Sequence, residues 1–244
     1  LLDNYSINFN GNLLNLNTPI IMSILNTTPD SFFDGGNYNS LEGALKKVEK
    51  DLESGATIID IGGYSTKPNG HEVSLEEEIK RTIPYIEAIT RRFPNVNLSI
   101  DTFRGRVASL ALQAGAGMIN DISAWNIDDE MIKIVSKYKV PYVLMHMRGK
   151  PKTMQNQPHY DNLIKDILDF LVKKIDILKS NGLKDIIIDP GFGFGKTIAH
   201  NDTILSNLNC FKVLKLPILV GISHKWIIYK KLKISKLETL NGTT

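Results

Sequence analysis

Seven short apolar segments of this 244-residue sequence each end in a polar side chain that is able to bind a ligand or take part in a reaction. One such residue means little, because helix N-caps also favour Asp, Asn and Ser. A polar residue at all seven ends is more than capping requires. In a parallel α/β barrel the carboxyl ends of the strands meet at one mouth, where active sites form. The residues are, in order, Asn26, Asp60, Asp101, Asn120 with Asp121, His146, Asp189 and Ser223.

The stretch IDPGFGFGKT, residues 188–197, has the look of a phosphate-binding loop. A Walker loop requires a glycine five positions before the final Gly-Lys-Thr, and Pro190 occupies that position. Proline has no N–H group to donate to a phosphate. The dinucleotide pattern fails as well, because Lys196 stands where its third glycine is required. The spacing therefore excludes nucleotide binding, and Lys196-Thr197 is interpreted as a lead into the next loop.

Strand-like and helix-like segments alternate along the chain. The predicted strands are Ile20–Ile24, Thr57–Ile61, Asn97–Ile100, Gly117–Ile119, Pro141–Met145, Asp185–Ile188 and Pro217–Val220. The predicted helices are Leu41–Glu53, Leu75–Arg92, Arg104–Gln113, Asp129–Tyr138, Asn162–Ser180, roughly Asp202–Leu208, and one that begins near Lys225. Continuous apolar strands separated by helices indicate a parallel sheet covered by helices.

The predicted fold is α/β, a TIM (β/α)8-type barrel with seven visible strands. A doubly wound sheet would bring only some of the polar strand ends together. No linker or change of composition divides the chain, so we expect one domain over residues 1–244, with an N-terminal hairpin or cap over residues 1–18.

Composition narrows the class of protein. A net charge of +3 is too small to indicate nucleic-acid or membrane binding, and no apolar run reaches the ~18 residues that a membrane span needs. The lone Cys210 excludes an internal disulfide, and we expect it to be a small buried apolar group. The composition therefore predicts a soluble cytoplasmic domain without nucleic-acid or membrane partners. Oligomeric state does not follow from it, and a homodimer stays open.

Seven motifs lie one at each strand end, over about residues 20–225. They are ILNTTPDSFFDGG (24–36), DIGGYSTKP (60–68), SIDT (99–102), MINDIS (118–123), LMHMRGKPKTMQ (144–155), IDPGFGFGKT (188–197) and LPILVGISHK (216–225). In their order and spacing they resemble the dihydropteroate synthase family. The resemblance implies condensation of a dihydropterin diphosphate with 4-aminobenzoate, which yields dihydropteroate and diphosphate.

Six residues are implied to bind the pterin. Asp189 matches the carboxylate that accepts two parallel N–H bonds from the pterin edge, and Asn120 suits the adjoining edge because an amide both donates and accepts. Lys225 is implied to reach the ring carbonyl, and Asp101 to stabilise positive charge as diphosphate leaves. Asp101 and Lys225 are thus the implied catalytic residues. Ile122 and Met145 are expected to cover the flat ring.

The remaining implied residues concern the diphosphate and the second substrate. Asn26 resembles the family's ligand to Mg2+, an ion that prefers oxygen ligands. The TTPDSFFDGG segment that follows Asn26 is expected to act as a lid. Thr66, Lys67 and Pro68 match the family's loop for 4-aminobenzoate, although Lys67 replaces an arginine and offers a point charge instead of a planar fork. Phe194 is expected to form an apolar wall, and Ser223 to offer a hydroxyl to the carboxylate.

Each of these residues also has an ordinary structural interpretation. An Asp or Asn at a strand end often caps a helix, and a lone lysine is usually solvated. His146 and His159 lack the spacing of a zinc site, so His146 is interpreted as a packing residue. The order of the motifs is what favours function for Asp189, Asn120, Asp101 and Lys225.

The resemblance also has departures. Ser223-His224-Lys225 replaces the family's Ser-Arg-Lys, and the sequence given stops at LETLNGTT, before the eighth strand with its Arg-x-His pair. An incomplete record, a decayed gene or a partner that completes the sheet would each explain this, and the first two are preferred. The alternatives to full activity are a weakly active or inactive pterin-binding remnant and a pterin-dependent methyltransferase.

Overall fold

The computed structural model describes residues 5–28, 41–64, 72–149, 154, 158–223, 225–235 and 238–239. A hairpin of β1 (Ser6–Phe9) and β2 (Asn12–Asn15) precedes six parallel strands, which pair in the order in which they occur along the chain. These are β3 (Ile21–Asn26), β4 (Ala56–Gly62), β5 (Asn97–Asp101), β6 (Met118–Asp121), β7 (Tyr142–Met145) and β8 (Ile186–Asp189). The helices are α1 (Leu41–Glu53), α2 (Leu75–Arg92), α3 (Gly105–Ala114), α4 (Glu130–Tyr138), α5 (Leu163–Ser180), α6 (Ile198–Ser206) and α7 (Trp226–Leu232).

Side chains alternate between two buried faces along each strand. In β4, Ile59 and Ile61 point outward into the large core that the strands share with the helices. Ile58 and Asp60 occupy the alternate positions, and Ile58 joins inward-facing residues from other strands in a separate cluster. Because inward positions from β4, β6, β7 and β8 meet in one cluster, the sheet curves around them as a barrel does.

The N-terminal hairpin covers the lower end of this interior. Asn10 and Gly11 both have positive φ, as a two-residue hairpin turn requires. Ile7 and Phe9 are each 1% exposed and pack against Ile58, Met118, Val143 and Ile187. Gly117 leaves room for this contact, since an added Cβ there would lie 2.6 Å from Phe9 Cε1. The hairpin therefore closes one end of the barrel, which leaves the carboxyl ends of the strands as the open end.

The structure confirms a parallel α/β fold of barrel type, with two corrections among the described residues. The predicted seventh strand, Pro217–Val220, forms only a single parallel bridge between Ile218 and Ile188. The predicted helix at Asp202–Leu208 is α6, which begins four residues earlier at Ile198, and a 3-10 segment, Leu208–Leu214, follows it. Thr197 explains the earlier start, because its hydroxyl caps the helix by accepting from the His200 N–H at 3.1 Å.

Within the part of the chain that the structure describes, every helix is too short or too polar to cross a membrane.

The buried face of the hairpin gives a stability prediction. Phe9→Ala removes a ring that is 1% exposed, so we expect a loss of about 3–5 kcal/mol in the free energy of unfolding. Leu13→Ala is the matched control, because Leu13 lies in the same hairpin and is 78% exposed; a change within about 0.5 kcal/mol is expected. Denaturant unfolding of the two variants measures both values. Equal losses would show that the hairpin does not close the barrel interior.

Candidate active site

Three polar residues and one glycine lie side by side at the carboxyl ends of neighbouring strands. The register pairs Asn26 with Gly62, Gly62 with Asp101, and Asp101 with Asn120. An added Cβ at Gly62 would lie 3.4 Å from Asp101 Oδ2 and 3.5 Å from Asn26 Oδ1. The missing side chain at Gly62 therefore leaves a space toward which an amide oxygen and a carboxylate oxygen converge.

Asp60 lies one inward position below Gly62 and holds Asn120. Its Oδ2 accepts from Asn120 Nδ2 at 2.8 Å, and the side chain is 3% exposed. This bond directs the amide nitrogen of Asn120 toward Asp60, so the amide oxygen stays available as an acceptor. Asp60 was noticed in the sequence as a strand-end residue, but nothing in the sequence connected it with Asn120, which is 60 residues away.

Asp189 and Lys225 occupy the opposite side of the mouth. Asp189 is 6% exposed, and its Oδ1 accepts from the Gly191 N–H at 2.6 Å. Lys225 precedes α7 and donates to the Phe192 carbonyl. Its stem passes glycines on both sides, since added Cβ atoms would lie 3.4 Å from Lys225 Cδ at Gly193 and 3.5 Å from its Nζ at Gly221. A buried aspartate and a partly buried lysine thus share the rim of the barrel.

Burial shifts the pKa values of the charged groups at the mouth. Desolvation raises the pKa of Asp60 to about 6, although Ser99 and Asn120 act against the rise. Desolvation, then repulsion from Asp60 and from more distant acids, holds the pKa of Asp101 well above its ordinary value, and Lys225 lowers it. The pKa of Asp189 is also raised by desolvation, and Lys225 is the largest influence in the other direction.

An apolar surface lines the mouth between these polar groups. Phe103, Ile122 and Met145 form its buried part, and the partly exposed Tyr64, Met147 and Phe194 pack against them. Lys225 Nζ lies 4.8 Å from the centre of the Phe194 ring, within range of a cation–π interaction. The mouth therefore combines a flat apolar face with a polar edge, which suits a flat heterocyclic ligand.

A buried ion pair supports the mouth from behind. Glu78 of α2 is fully buried and accepts from Thr102 Oγ1 and Arg104 Nη1, each at 2.6 Å. The Arg104 guanidinium also lies 5.5 Å from the centre of the Tyr64 ring and 5.3 Å from that of Phe103. Glu78 therefore fixes the loop after β5, which carries part of the apolar surface. The sequence showed Glu78 only as one of three consecutive glutamates and gave no sign of this pairing.

The glycine-rich segment crosses the end of β7 at very short range. Gly191 has φ +77°, and an added Cβ would lie 1.9 Å from the His146 carbonyl oxygen. Glycine is required there for both conformation and space. Lys196 is a correction to the sequence interpretation, because it is fully buried instead of leading into a loop. The Lys-Thr pair is itself the sequence signal of this arrangement. Thr197 caps α6, and Lys196 points inward.

Not all predicted site residues can be located in this mouth. Thr66, Lys67, Pro68 and the lid segment after Asn26 fall outside the described residues, apart from Thr27 and Thr28. Ser223 is exposed, and so is Asn26. The structure brings together Asp101, Asn120, Ile122, Met145, Asp189, Phe194 and Lys225.

The histidine and cysteine expectations have different outcomes. His146 is 5% exposed and packs edge-on against Phe170 with ring centres 5.0 Å apart, as a packing residue does. The prediction that Cys210 is buried is wrong: it is exposed in the 3-10 segment. In the described ranges, no three His, Cys, Asp or Glu side chains form a group that would hold a metal ion.

The mouth of this curved parallel sheet combines aspartates and a lysine with a flat apolar face. This combination defines an enzyme site for a flat heterocycle. The sequence profile of the family described as "Pterin binding enzyme" matches residues 22–242. The chain therefore belongs to the pterin-binding enzyme family.

Curated relatives narrow the family further. The chain is 47% identical over 212 residues to a dihydropteroate synthase of Synechocystis, which covers 86% of this chain and 73% of the relative. It is 42% identical over 235 residues to the dihydropteroate synthase of Escherichia coli K12, with 96% and 83% covered. The chain is thus a member of the dihydropteroate synthase family.

Solved structures agree with this assignment. A Yersinia pestis dihydropteroate synthase in a sulfonamide drug complex superposes with a TM-score of 0.92 at 41% identity, and covers 98% of this chain and 87% of its own. A Xanthomonas albilineans dihydropteroate synthase in complex with 7,8-dihydropteroate superposes with a TM-score of 0.85 at 36% identity, with 98% and 86% covered.

The raised pKa of Asp60 gives a prediction about stability and pH. In the unfolded chain Asp60 ionises near pH 3.8, whereas in the folded protein it does so near 6. Between these values the folded state binds more protons, so wild type loses stability as pH rises. Asp60→Asn keeps an acceptor for Asn120 and cannot ionise. Its free energy of unfolding relative to wild type is expected to rise by roughly 3 kcal/mol from pH 4 to pH 7.

Denaturant unfolding at several pH values measures this difference. Leu13→Ala is the control, because Leu13 is 78% exposed and carries no ionisable group; its difference from wild type is expected to stay flat with pH. A flat difference for Asp60→Asn as well would show that Asp60 ionises normally in the folded protein.

Proposed function

We propose that the chain is a dihydropteroate synthase that condenses 6-hydroxymethyl-7,8-dihydropterin diphosphate with 4-aminobenzoate. The products are 7,8-dihydropteroate and diphosphate. The observation that carries the proposal is the meeting of Asp189, Lys225, Asn120 and Asp101 around one apolar face at the mouth. The family assignment and the dihydropteroate complex of the Xanthomonas relative support it.

Pterin recognition is assigned to the buried acids and the lysine. A pterin edge presents amino and ring N–H donors, and Asp189 is a buried carboxylate with one oxygen already held by Gly191. Two parallel N–H bonds to such a group are charge-assisted and strong. Asn120, held by Asp60, offers its oxygen to the adjoining edge. Lys225 is assigned to the ring carbonyl, and Ile122 and Met145 to the ring faces.

The electrostatics of the mouth favour a ligand that develops positive charge near Asp101. Free Asp101 has a raised pKa because burial and nearby acids disfavour its ionised form. In the reaction, the amino nitrogen of 4-aminobenzoate forms a bond to the pterin methylene carbon as the C–O bond to diphosphate breaks. Diphosphate leaves with the electron pair and the amine loses one proton. Positive charge that develops on the pterin and the ionised Asp101 carboxylate stabilise each other, just as Lys225 stabilises that carboxylate. We therefore assign Asp101 and Lys225 to catalysis.

The second substrate is assigned to the side of the mouth that Phe194 lines. Phe194 is partly exposed and lies beside Lys225. Its ring offers an apolar wall for the benzene ring of 4-aminobenzoate. Ser223, Thr66, Lys67 and Pro68 are proposed to complete this subsite. A Xanthomonas relative has been solved with 4-aminobenzoic acid, which supports this choice of substrate.

Mg2+ is proposed as the cofactor, with Asn26 as its protein ligand. The oxygens of Asn26 and Asp101 that converge above Gly62 are hard donors of the kind that Mg2+ selects. The described residues offer no full set of ligands, so diphosphate oxygens and water would complete the shell. When bound, the ion supplies charge that stabilises the leaving diphosphate.

Three further properties are proposed. Two Yersinia pestis relatives have been solved, one in a sulfonamide drug complex and one with a pterine-sulfa conjugate, which supports this chain as a sulfonamide target. A cytoplasmic location and a homodimer stay predictions from the sequence. The methyltransferase and the inactive remnant are not favoured, since the relatives are dihydropteroate synthases.

A coupled assay of diphosphate release tests the proposal. The chain is incubated with the dihydropterin diphosphate and Mg2+, with and without 4-aminobenzoate, and dihydropteroate is followed by chromatography. Release that depends on 4-aminobenzoate and matches dihydropteroate formation is expected. Pterin binding without turnover would favour the inactive pterin-binding remnant. Absence of both binding and turnover would contradict the proposal.

Removal of the Asp189 carboxylate gives the sharpest test of pterin recognition. Asp189→Ala is expected to raise the dissociation constant of a pterin analogue about 100-fold, because a buried charge-assisted pair is worth about 3 kcal/mol. Asp185→Ala is the matched control, since Asp185 lies just before the amino end of the same strand. Isothermal titration is expected to show a change below about threefold for the control. Equal affinity of wild type and Asp189→Ala would contradict the assignment.

A further inference from the structure

Lys196 is a buried cation that the proposed mechanism does not use. Its side chain has no exposed surface, which is rare for lysine. The Nζ atom lies 3.1 Å from the His146 carbonyl oxygen, 3.0 Å from the Phe194 carbonyl oxygen and 3.0 Å from His146 Nδ1. An ammonium has three N–H donors, and these three acceptors satisfy all of them.

The partners of Lys196 are uncharged. Two are backbone carbonyls, and burial lowers the pKa of His146 to about 2, so its imidazole is neutral. Burial lowers the pKa of Lys196 to about 7, and attraction to the Asp189 carboxylate offsets this shift only in part. Stability alone therefore does not account for a lysine at this position.

The hydrogen bonds of Lys196 join two elements that form the mouth. His146 follows β7, and Phe194 belongs to the glycine-rich segment after β8. Lys196 bonds directly to the carbonyl of the residue whose ring lines the mouth. Two further side chains hold the same segment. Lys225 donates to the Phe192 carbonyl from the mouth side, and Tyr160 donates to the Gly195 carbonyl at 2.8 Å.

We propose that Lys196 is a positioning residue that holds the segment 191–195 against the end of β7 and thereby fixes the Phe194 wall for the second substrate. This inference rests on the proposed function, because it assigns 4-aminobenzoate to the Phe194 side. Asp189 keeps its position through the pairing of β8 with β7 and the Gly191 N–H, and Lys196 acts on it only through its charge. Loss of Lys196 therefore disturbs the subsite for 4-aminobenzoate more than the subsite for the pterin.

Steady-state kinetics of Lys196→Met test this selectivity. Methionine fills a similar volume and donates no hydrogen bond. The KM for 4-aminobenzoate is expected to rise about tenfold, whereas the KM for the dihydropterin diphosphate changes by less than about threefold. Lys231→Met is the matched control, because Lys231 is half-exposed and pairs with Asp202 on the surface; both KM values are expected to stay at wild-type level.

Tyr160→Phe provides a milder test of the same segment if Lys196→Met does not fold. It removes only the hydroxyl that donates to Gly195, and a rise of about threefold in the KM for 4-aminobenzoate alone is expected. A purely structural role would lower the active fraction without separating the two KM values. An unchanged KM for 4-aminobenzoate in the variants that fold, or an equal rise for both substrates, would overturn the inference.

Fluorescence gives a readout that does not depend on turnover. An added Cβ at Gly193 would lie 3.6 Å from Trp226 Nε1, so the Trp226 indole reports on the position of the segment. In a Trp125→Phe background, Lys196→Met is expected to shift the Trp226 emission maximum, and Lys231→Met is expected to leave it unchanged. A shift in a chain without turnover would support the positioning role while the proposed function failed. An unshifted maximum together with wild-type KM values would reject the positioning role alone.

Discussion

The removal of several acids from water at one end of a barrel is the constraint on which the rest of this structure depends. Asp60, Asp101 and Asp189 lie within one ring of strand ends, and burial raises the pKa of each. An isolated buried carboxylate is costly, so each needs a donor or a cation nearby. Asn120 supplies one donor, the Gly191 N–H supplies another, and Lys225 is the cation that Asp101 and Asp189 share.

This arrangement explains why the surrounding scaffold is built as it is. The hairpin closes the lower end of the barrel with Ile7 and Phe9, which keeps water away from the inward positions below Asp60. The glycines after β8 let the backbone pass close to β7, so that Asp189 and Phe194 reach the same mouth. A ligand with N–H donors on one edge and a flat ring satisfies the acids and the apolar face together. Such a ligand therefore supplies the N–H donors that the buried acids need.

The sequence predicted the fold and the main strand-end residues because both follow from local patterns. Apolar runs and helical periodicity located the six strands, and each strand end carried its polar residue in the chain order of the family. Tertiary pairings had no local signal. The bond between Asp60 and Asn120, the Glu78–Arg104 pair and the burial of Lys196 join segments that are far apart in sequence or depend on how a loop folds back.

Errors arose where local patterns were weak. Pro217–Val220 is apolar enough for a strand, but it forms a single β-bridge. Cys210 lies exposed in a 3-10 segment that the hydrophobic periodicity did not predict.

Asp189 is the proposed pterin-binding carboxylate, and the N–H donors of the pterin are expected to stabilise its ionised form. Carbon-13 NMR of the side-chain carboxyl carbons, assigned with Asp189→Asn, would follow its titration with and without a pterin analogue. We expect the pKa of Asp189 to lie above the ordinary aspartate value in the free protein and to fall when the analogue binds. An ordinary pKa that the analogue leaves unchanged would contradict it.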